Sequence, residues 1–393
     1  MTIADRQKAI MSKSSLIRQM FEKGARLKAE IGAENVFDFS LGNPNLPPPA
    51  EFLKALVRTA RNEAPGVHGY MPNAGYAETR SAVARFVARD QQVAISADEI
   101  VMTCGAAGGL NIIFHSLLDP GDEVIVPIPY FMEYDFYAAN AGGVLKKVPT
   151  RADFSLSLND IEQAIGPRTK IVLLNSPNNP TGQVYAADEL RALSEVLRQA
   201  GHQYGRTIYL VSDEPYRRIV YEGVAVPSIF HHYTESIFTT SFSKDLSIPG
   251  ERIGYVAVHP RLAAKADLLN ALVLTNRTLG FVNAPALMQR VLPEALSASV
   301  DMAAYARKRD LLCQGLAACG YQFVPPAGTF YLFPKSPMAD DRAFVELLQE
   351  QHIIAVPGSA FGCPGHFRLA FCVTDETITR AIPGFSAAIL RCL

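Results

Sequence analysis

The stretch from Thr239 to Tyr255 collects residue types that can bind a phosphate and react with a carbonyl group. It contains the run Ser241-Phe242-Ser243-Lys244 and, eight residues past the lysine, Arg252 beside a Pro-Gly turn. Hydroxyl groups and a guanidinium bind phosphate oxygens, and arginine can do so through two parallel hydrogen bonds. A lysine amine held among them can form a Schiff base with an aldehyde. The stretch therefore predicts a ligand that carries both a phosphate and an aldehyde, as pyridoxal 5′-phosphate does.

The same letters also fit another chemistry. Ser241-Phe242-Ser243-Lys244 matches Ser-x-x-Lys, the nucleophile motif of penicillin-binding proteins and class A β-lactamases. Those enzymes also need Ser-Asp-Asn and Lys-Thr-Gly, whereas this chain has Ser212-Asp213-Glu214 ahead of the lysine and no Lys-Thr-Gly. The sequence therefore favours the phosphate-and-aldehyde interpretation.

Three other segments place polar groups where a buried ligand could meet them. Asp213 ends the apolar run Tyr209-Leu210-Val211-Ser212, and a carboxylate buried there needs a cationic or hydrogen-bonding partner. Gly105 opens a helix after a strand, so the backbone N–H groups at the helix start form an anion site. Arg368 lies in the apolar run Phe367–Phe371, where an arginine is rarely left unpaired. Each segment alone is also compatible with a capping aspartate, a plain helix start or an internal salt bridge.

The order of these segments resembles that of class I/II aminotransferases, the fold-type I enzymes that use pyridoxal phosphate (PLP). In this chain, Ser-x-Ser-Lys followed by Arg252 resembles their lysine motif, and Asn179-Pro180-Thr181-Gly182 matches their Asn-Pro-Thr-Gly turn letter for letter. The resemblance extends from about residue 40 to about residue 371. It implies a transaminase that moves an amino group from an L-amino acid to a 2-oxo acid by a ping-pong mechanism.

The resemblance also implies which residues bind the cofactor. Lys244 would form the Schiff base and move the proton at the substrate Cα. Asp213 would hold the pyridinium nitrogen, and Asn179 and Tyr216 would share the 3′-oxygen. Lys244, Asp213 and Tyr216 are thus the expected catalytic residues. The phosphate would be bound by Ser241, Ser243, Arg252 and the turn Gly105-Ala106-Ala107. Phe131 would stack on the cofactor ring.

Two further contacts belong to the substrate and to a second subunit. By the resemblance, Arg368 would clamp the substrate α-carboxylate, and Gly42 and Asn179 would also contact the substrate. Tyr70 resembles the tyrosine that reaches the phosphate of the neighbouring subunit's cofactor. The resemblance therefore implies a homodimer with its sites at the subunit interface.

Several points stay open from the sequence alone. A β-lyase or decarboxylase of the same fold would use the same cofactor site, and a PLP-binding regulatory protein could keep the site without turnover. Tyr130 could take the place of Phe131 on the cofactor ring. Aspartate with 2-oxoglutarate is the default substrate pair on family frequency. The second carboxylate of such substrates needs a second cation, and no motif selects among the candidates Asn276 and Arg277 at a helix end, Lys13 and Arg18.

The expected site residues lie where strands end in an alternating pattern of strands and helices. Short apolar runs over 99–103, 123–127, 171–174 and 207–212 alternate with helical segments. This pattern predicts an α/β fold whose large domain has a mainly parallel central sheet covered by helices. Ligands of such sheets bind at the carboxyl ends of the strands, where Asp213 and Lys244 fall.

The remainder of the chain predicts a smaller α+β domain. A charged helix over 300–318 precedes short strands over 322–324, 329–333, 353–356 and 366–371, and a last helix spans 375–390. Prolines at 47–49 mark the crossing from an N-terminal segment with a helix over 12–32. The predicted division is an N-terminal segment 1–49 packing with the small domain, a large PLP-binding domain 50–285 and a small C-terminal domain 286–393.

Composition favours small molecules and a second copy of the chain as partners. The 393 residues carry a formal net charge of −1, which argues against nucleic acid or an anionic membrane. No uncharged apolar run is long enough to span a membrane, and the N-terminus lacks the apolar region of a secretory signal. The six cysteines show no metal-binding spacing, so we expect no metal, reduced thiols and a cytoplasmic location.

Overall fold

The structure is a computed structural model, and it describes residues 3, 4, 7, 8 and 16–392. Residues 12–15 of the predicted first helix therefore lie outside the described residues. The helices of the described part are α1 (Leu16–Ile31), α2 (Ala50–Ala60), α3 (Ala77–Gln91), α4 (Gly105–Leu117), α5 (Glu133–Asn140), α6 (Leu158–Ala164), α7 (Ala187–Tyr204), α8 (Lys265–Thr278), α9 (Ala286–Ala295), α10 (Met302–Ala318), α11 (Asp341–Glu350) and α12 (Asp375–Leu390). Its strands are β1 (Phe37–Asp38), β2 (Ile100–Thr103), β3 (Glu123–Ile128), β4 (Val144–Pro149), β5 (Thr169–Asn175), β6 (Tyr209–Asp213), β7 (Ser236–Ser241), β8 (Gly254–Val258), β9 (Tyr331–Leu332), β10 (Ile353–Ile354), β11 (Val356–Pro357) and β12 (Phe367–Ala370).

The central sheet has the strand order β2-β8-β7-β6-β5-β3-β4. From β7 to β4 all neighbouring strands are parallel, whereas β8 runs antiparallel to both β2 and β7. Helices cover both faces of this sheet. The predicted α/β fold with a mainly parallel sheet is therefore confirmed.

Burial on both faces fixes where the strands end. Along β5, Ile171 and Leu173 face one core and Val172 and Leu174 face the other, because side chains alternate along a strand. Helices α4, α5 and α8 close the first core, and α3, α7 and α9 pack into the second. A strand held from both sides cannot slip in register, so the polar residues at its end have fixed positions.

A smaller antiparallel sheet of order β11-β12-β9 lies beside helices α10, α11 and α12 in a separate core. The N-terminal segment joins this region through the parallel pair β1 and β10. The strand predicted over 322–324 is wrong: the backbone there is irregular. Pro325 and Pro326 follow it directly, and proline has no N–H for a strand ladder.

Helix α9 packs with the large sheet although it lies past the predicted boundary at residue 285. Its residues Met288, Val291 and Leu292 belong to the same core as Val172 and Leu174. The division of the chain at 49 and 285 stays a prediction.

Two features bear on the expectations about membranes and metals. Among the residues described, no helix combines the length and the apolar character that crossing a lipid bilayer requires. Within the same residues, no group of three or more His, Cys, Asp or Glu side chains converges as metal ligands would. All six cysteines fall within 16–392, and each is a free thiol.

Candidate active site

The carboxyl ends of β5, β6 and β7 lie side by side at one edge of the central sheet. Asn175 ends β5 and pairs with Asp213 at the end of β6, and Asp213 in turn pairs with Thr239 near the end of β7. Lys244 lies in the turn that follows β7. Because parallel strands carry these residues to one edge, side chains that are distant in sequence meet there.

A cavity of about 240 Å³ opens at this edge, with residues of the small antiparallel sheet on its other side. The residues expected from the sequence that line it are Gly42, Ala106, Ala107, Phe131, Asn179, Asp213, Tyr216, Lys244 and Arg368. Those expected from the sequence that do not line it are Gly105, Ser241, Ser243, Arg252 and Tyr70.

Asp213 is buried with one carboxylate oxygen unpaired. Its Oδ2 accepts a hydrogen bond of 2.6 Å from Tyr134 Oη, and its backbone oxygen accepts one of 2.8 Å from Asn175 Nδ2. Its Oδ1 has no hydrogen-bond partner among the described residues. Burial raises the pKa of Asp213 to about 7, and the Tyr134 hydrogen bond opposes that rise. A buried acceptor without a partner fits a protonated ring nitrogen.

Sequence reasoning misses Tyr134 and Asn175. Tyr134 packs edge-on against Phe131, with ring centroids 5.6 Å apart. In the sequence, the one indication that Tyr134 belongs to the site is its spacing of three residues from Phe131. Asn175 positions two expected site residues, because its Oδ1 also accepts a bond of 2.7 Å from the Asn179 backbone N–H. Its signal is that it begins the polar turn before Asn179.

Lys244 is partly buried, and its Nζ donates a hydrogen bond of 2.9 Å to the carbonyl oxygen of Gly42. Burial lowers the pKa of Lys244 to about 8, and the positive charges of Arg368 and Arg252 act in the same direction. More of this amine is neutral near pH 7 than for an ordinary lysine. A neutral amine is the form that attacks a carbonyl carbon.

The expected phosphate ligands gather where β2, β8 and β7 meet. Gly254, the first residue of β8, pairs with Thr103 at the end of β2 on one side and with Ser241 at the end of β7 on the other. The hydroxyl oxygens of Ser241 and Ser243 lie 3.1 Å apart. The start of α4 follows Thr103, so hydroxyls and helix amides come together at this junction.

Arg252 lies over the start of α4. Its backbone is left-handed, with φ of 53°, and its Nη1 donates a hydrogen bond of 2.9 Å to Pro249 O. A side chain at Gly105 would come within 2.9 Å of Arg252 Nη2, and the φ of 73° at Gly105 also favours glycine. The guanidinium and the positive end of the helix dipole thus form one cationic corner next to the cavity.

Arg368 on β12 is a buried cation that forms no ion pair with the described residues. Its Nη1 donates a hydrogen bond of 3.0 Å to Asn179 Oδ1, and its Nη2 donates one of 2.6 Å to the carbonyl oxygen of Ser40. Its Nε has no hydrogen-bond partner among those residues. The guanidinium carbon lies 4.4 Å from the Tyr331 ring centroid. Burial lowers the pKa of Arg368. The internal salt bridge that the sequence left open is therefore absent from this part of the chain, and the cation faces the cavity.

The structure separates the other candidates. Phe131 lines the cavity, whereas the Tyr130 hydroxyl donates to Asp135 outside it, so the geometry favours Phe131 as the ring neighbour. Asn276 is buried and donates to Asn73 O, Arg277 is exposed, and neither lines the cavity. Lys13 and the side chain of Arg18 lie outside the described part of the chain.

Comparison with known proteins matches residues 34–385 to the family described as "Aminotransferase class I and II". The chain belongs to this family. It is 34% identical over 374 residues to a probable aspartate/prephenate aminotransferase of Aquifex aeolicus, covering 90% of this chain and 91% of that protein. An amino transferase of Eubacterium rectale superposes with a TM-score of 0.96 at 38% identity, over 100% of this chain and 99% of that chain. Aspartate aminotransferase from Thermus thermophilus, solved with maleate, gives a TM-score of 0.88 at 30% identity, over 99% of this chain and 100% of that one.

Membership of this family makes the protein a transaminase, and the family implies dependence on PLP. Transaminases act on amino acids and oxo acids as small-molecule substrates, which suits a cavity lined by one carboxylate, one amine and one guanidinium.

Proposed function

We propose that this aminotransferase uses PLP and works by a ping-pong mechanism, with aspartate as its default amino donor and 2-oxoglutarate as its acceptor. The observation that carries the proposal is the arrangement of Asp213, Lys244 and Arg368 around one cavity. They are a buried carboxylate with a free oxygen, a lysine of lowered pKa and a buried arginine without a carboxylate partner among the described residues.

The residues present fit PLP. The unpaired Oδ1 of Asp213 supplies the acceptor that a protonated ring nitrogen needs. Phe131 would lie against the ring, and Asn179 and Tyr216 would bond its 3′-oxygen. The phosphate would be held by Ser241, Ser243, Arg252 and the amides of the Gly105-Ala106-Ala107 turn. When bound, PLP supplies a ring that accepts electron density from the substrate Cα.

Lys244 would hold and move the proton at the substrate Cα, first as a base and then as an acid. A group performs both tasks best when its pKa lies near the working pH. The pKa of about 8 that burial gives Lys244 meets this condition. The carbonyl oxygen of Gly42 accepts a hydrogen bond from this amine and holds it at the edge of the cavity.

Arg368 would bind the α-carboxylate through a two-pronged contact. Asn179 and the Ser40 carbonyl hold its guanidinium in one orientation, which keeps it ready for a planar carboxylate. Amino donor and oxo acid acceptor both carry such a carboxylate. One arginine therefore serves both substrates in turn, as a ping-pong mechanism requires.

A panel of L-amino acids with 2-oxoglutarate tests the proposal, with the released oxo acid as the readout. Aspartate should be the best donor, as the names of the relatives suggest, and double-reciprocal plots at several acceptor concentrations should be parallel. A clear preference for another donor would overturn the substrate pair, and intersecting lines would overturn the ping-pong mechanism. Release of ammonia or carbon dioxide without an acceptor would indicate a β-lyase or a decarboxylase.

We further propose a homodimer in which Tyr70 reaches the cofactor phosphate of the second subunit. In the single chain its side chain is 94% exposed and lies outside the cavity. Mixing inactive Tyr70→Ala with inactive Lys244→Ala should form heterodimers with one intact site. Each heterodimer should have up to about half of the activity of a wild-type dimer. No recovery despite demonstrated subunit exchange would mean that Tyr70 serves its own chain or no site.

The cytoplasm is the proposed location. The free thiols at all six cysteine positions support it, because disulfides are rare in reducing compartments. Cell fractionation tests it, and recovery with an extracytoplasmic fraction would contradict it.

A further inference from the structure

Tyr331, on β9, contacts three residues on which the proposed function depends. Its Oη lies 2.9 Å from Tyr216 Oη, and its ring centroid lies 4.4 Å from the Arg368 guanidinium carbon. The same hydroxyl fills the space that a side chain at Gly42 would need, since a Cβ there would lie 1.8 Å from Tyr331 Oη. Gly42 is also the residue whose carbonyl holds the Lys244 amine.

The two tyrosine hydroxyls share one hydrogen bond, so only one of their protons lies between them. Both residues line the cavity. Burial raises the pKa of Tyr216 and of Tyr331, which keeps both hydroxyls protonated at neutral pH. If Tyr331 donates, the Tyr216 proton is available to a ligand in the cavity. If Tyr216 donates, its proton points away from that ligand.

The cofactor contact assigned to Tyr216 selects Tyr331 as the donor. A hydroxyl has one proton, so when the Tyr216 proton goes to an oxygen in the cavity, the hydrogen bond between the two hydroxyls must be donated by Tyr331. In the described part of the chain, Tyr216 Oη is the one hydrogen-bond acceptor for the Tyr331 hydroxyl. The charged and titratable groups that face the pair are Arg368, Lys244, Tyr134 and the thiol of Cys372.

We propose that Tyr331 is a positioning residue, which donates to Tyr216, turns the Tyr216 proton into the cavity and holds the Arg368 guanidinium with its ring. It thereby couples the residue assigned to the cofactor 3′-oxygen with the residue assigned to the substrate carboxylate. This inference rests on the proposed function, because the role of Tyr216 comes from there.

Tyr331→Phe removes the hydroxyl and keeps the ring. Without its donor, Tyr216 makes a weaker hydrogen bond to the 3′-oxygen, and a bond donated to an oxygen favours its anionic form. The pH at which the absorbance of bound PLP titrates should therefore rise by roughly 0.3 to 1 unit, the size that one neutral hydrogen bond supports. In a Tyr216→Phe background the same change should have no further effect, because the partner is already gone.

A second pair of variants tests the ring. Tyr331→Phe should leave the KM of the preferred amino donor near its wild-type value. Tyr331→Leu should raise that KM by roughly tenfold, because the guanidinium loses the nearer of its two aromatic neighbours and keeps only Phe361. An equal KM in both variants would remove the ring from the proposal.

Controls separate the possible failures. Tyr233→Phe removes another buried tyrosine hydroxyl, which bonds Ile208 O outside the cavity, and should leave the titration unchanged. If Tyr331→Phe does not fold, Tyr331→Leu also lacks the hydroxyl and should move the titration in the same direction. An unmoved titration in a folded variant, or an equal shift in the Tyr216→Phe background, overturns the inference. A wild-type protein that shows no absorbance of bound PLP overturns the proposed function instead.

Discussion

Replacing Arg368 with leucine should separate substrate binding from stability. The guanidinium is buried, bonds only to the neutral oxygens of Asn179 and Ser40, and has no carboxylate partner among the described residues. Removing one partner of a buried charge pair typically costs about 2–5 kcal/mol. The dissociation constant of every L-amino acid donor should therefore rise roughly 30- to 4,000-fold. Simple amines, which lack the carboxylate, should bind as before.

Stability should change differently, because a buried charge without a counter-charge is costly to the folded state. The free energy of unfolding of the protein without cofactor should stay the same or increase in Arg368→Leu. Binding is measured by the absorbance change on adding donor, and stability by thermal unfolding. Arg380→Leu, on the exposed face of α12 with Glu376 as partner, is the matched control and should leave donor binding unchanged. Unchanged donor affinity in Arg368→Leu, or an equal loss for simple amines, would refute this reasoning.

The remaining predictions concern Asp213. Tyr134→Phe removes the hydrogen bond that opposes the rise in the Asp213 pKa. A bond to a charged group contributes about 1.5–3 kcal/mol, so the affinity for PLP should fall by roughly 10- to 150-fold. A fluorescence titration with PLP that gives the wild-type affinity would contradict this. Because burial raises the pKa of Asp213 from 3.8 to about 7, the folded state binds a proton more tightly than the unfolded state in that range, and this group reduces stability as the pH rises through it. Asp213→Asn removes that loss of stability. Without cofactor, the free energy of unfolding of Asp213→Asn minus that of wild type should therefore grow between pH 3.8 and about 7. A constant difference across that range would count against a buried, titrating Asp213.

The sequence predicts best those residues that follow directly from a strand. Asp213 and Lys244 end or follow apolar runs, and the edge of a parallel sheet brings such positions together whatever the details of packing. The phosphate junction adds one step, since it depends on Gly254 pairing with both Thr103 and Ser241. That pairing follows from the strand order, which single runs do not reveal.

Residues that act through tertiary contacts are not predictable in this way. Tyr134 meets a partner 79 positions away, and Tyr331 meets Tyr216 across 115 positions. Neither residue stands in a motif, and an aromatic residue in an apolar run is typical of a core. The strand predicted over 322–324 fails for a local reason, because the two prolines after it end the ladder that the apolar letters suggest.

We expect Lys244 to be the residue that bonds covalently to PLP. The purified protein is loaded with PLP, reduced with borohydride, digested and mapped by mass spectrometry. The pyridoxyl label should lie on the peptide with Lys244, and Lys244→Ala should take up PLP without any fixed label. A label on a different lysine, or an equal label in Lys244→Ala, would contradict it.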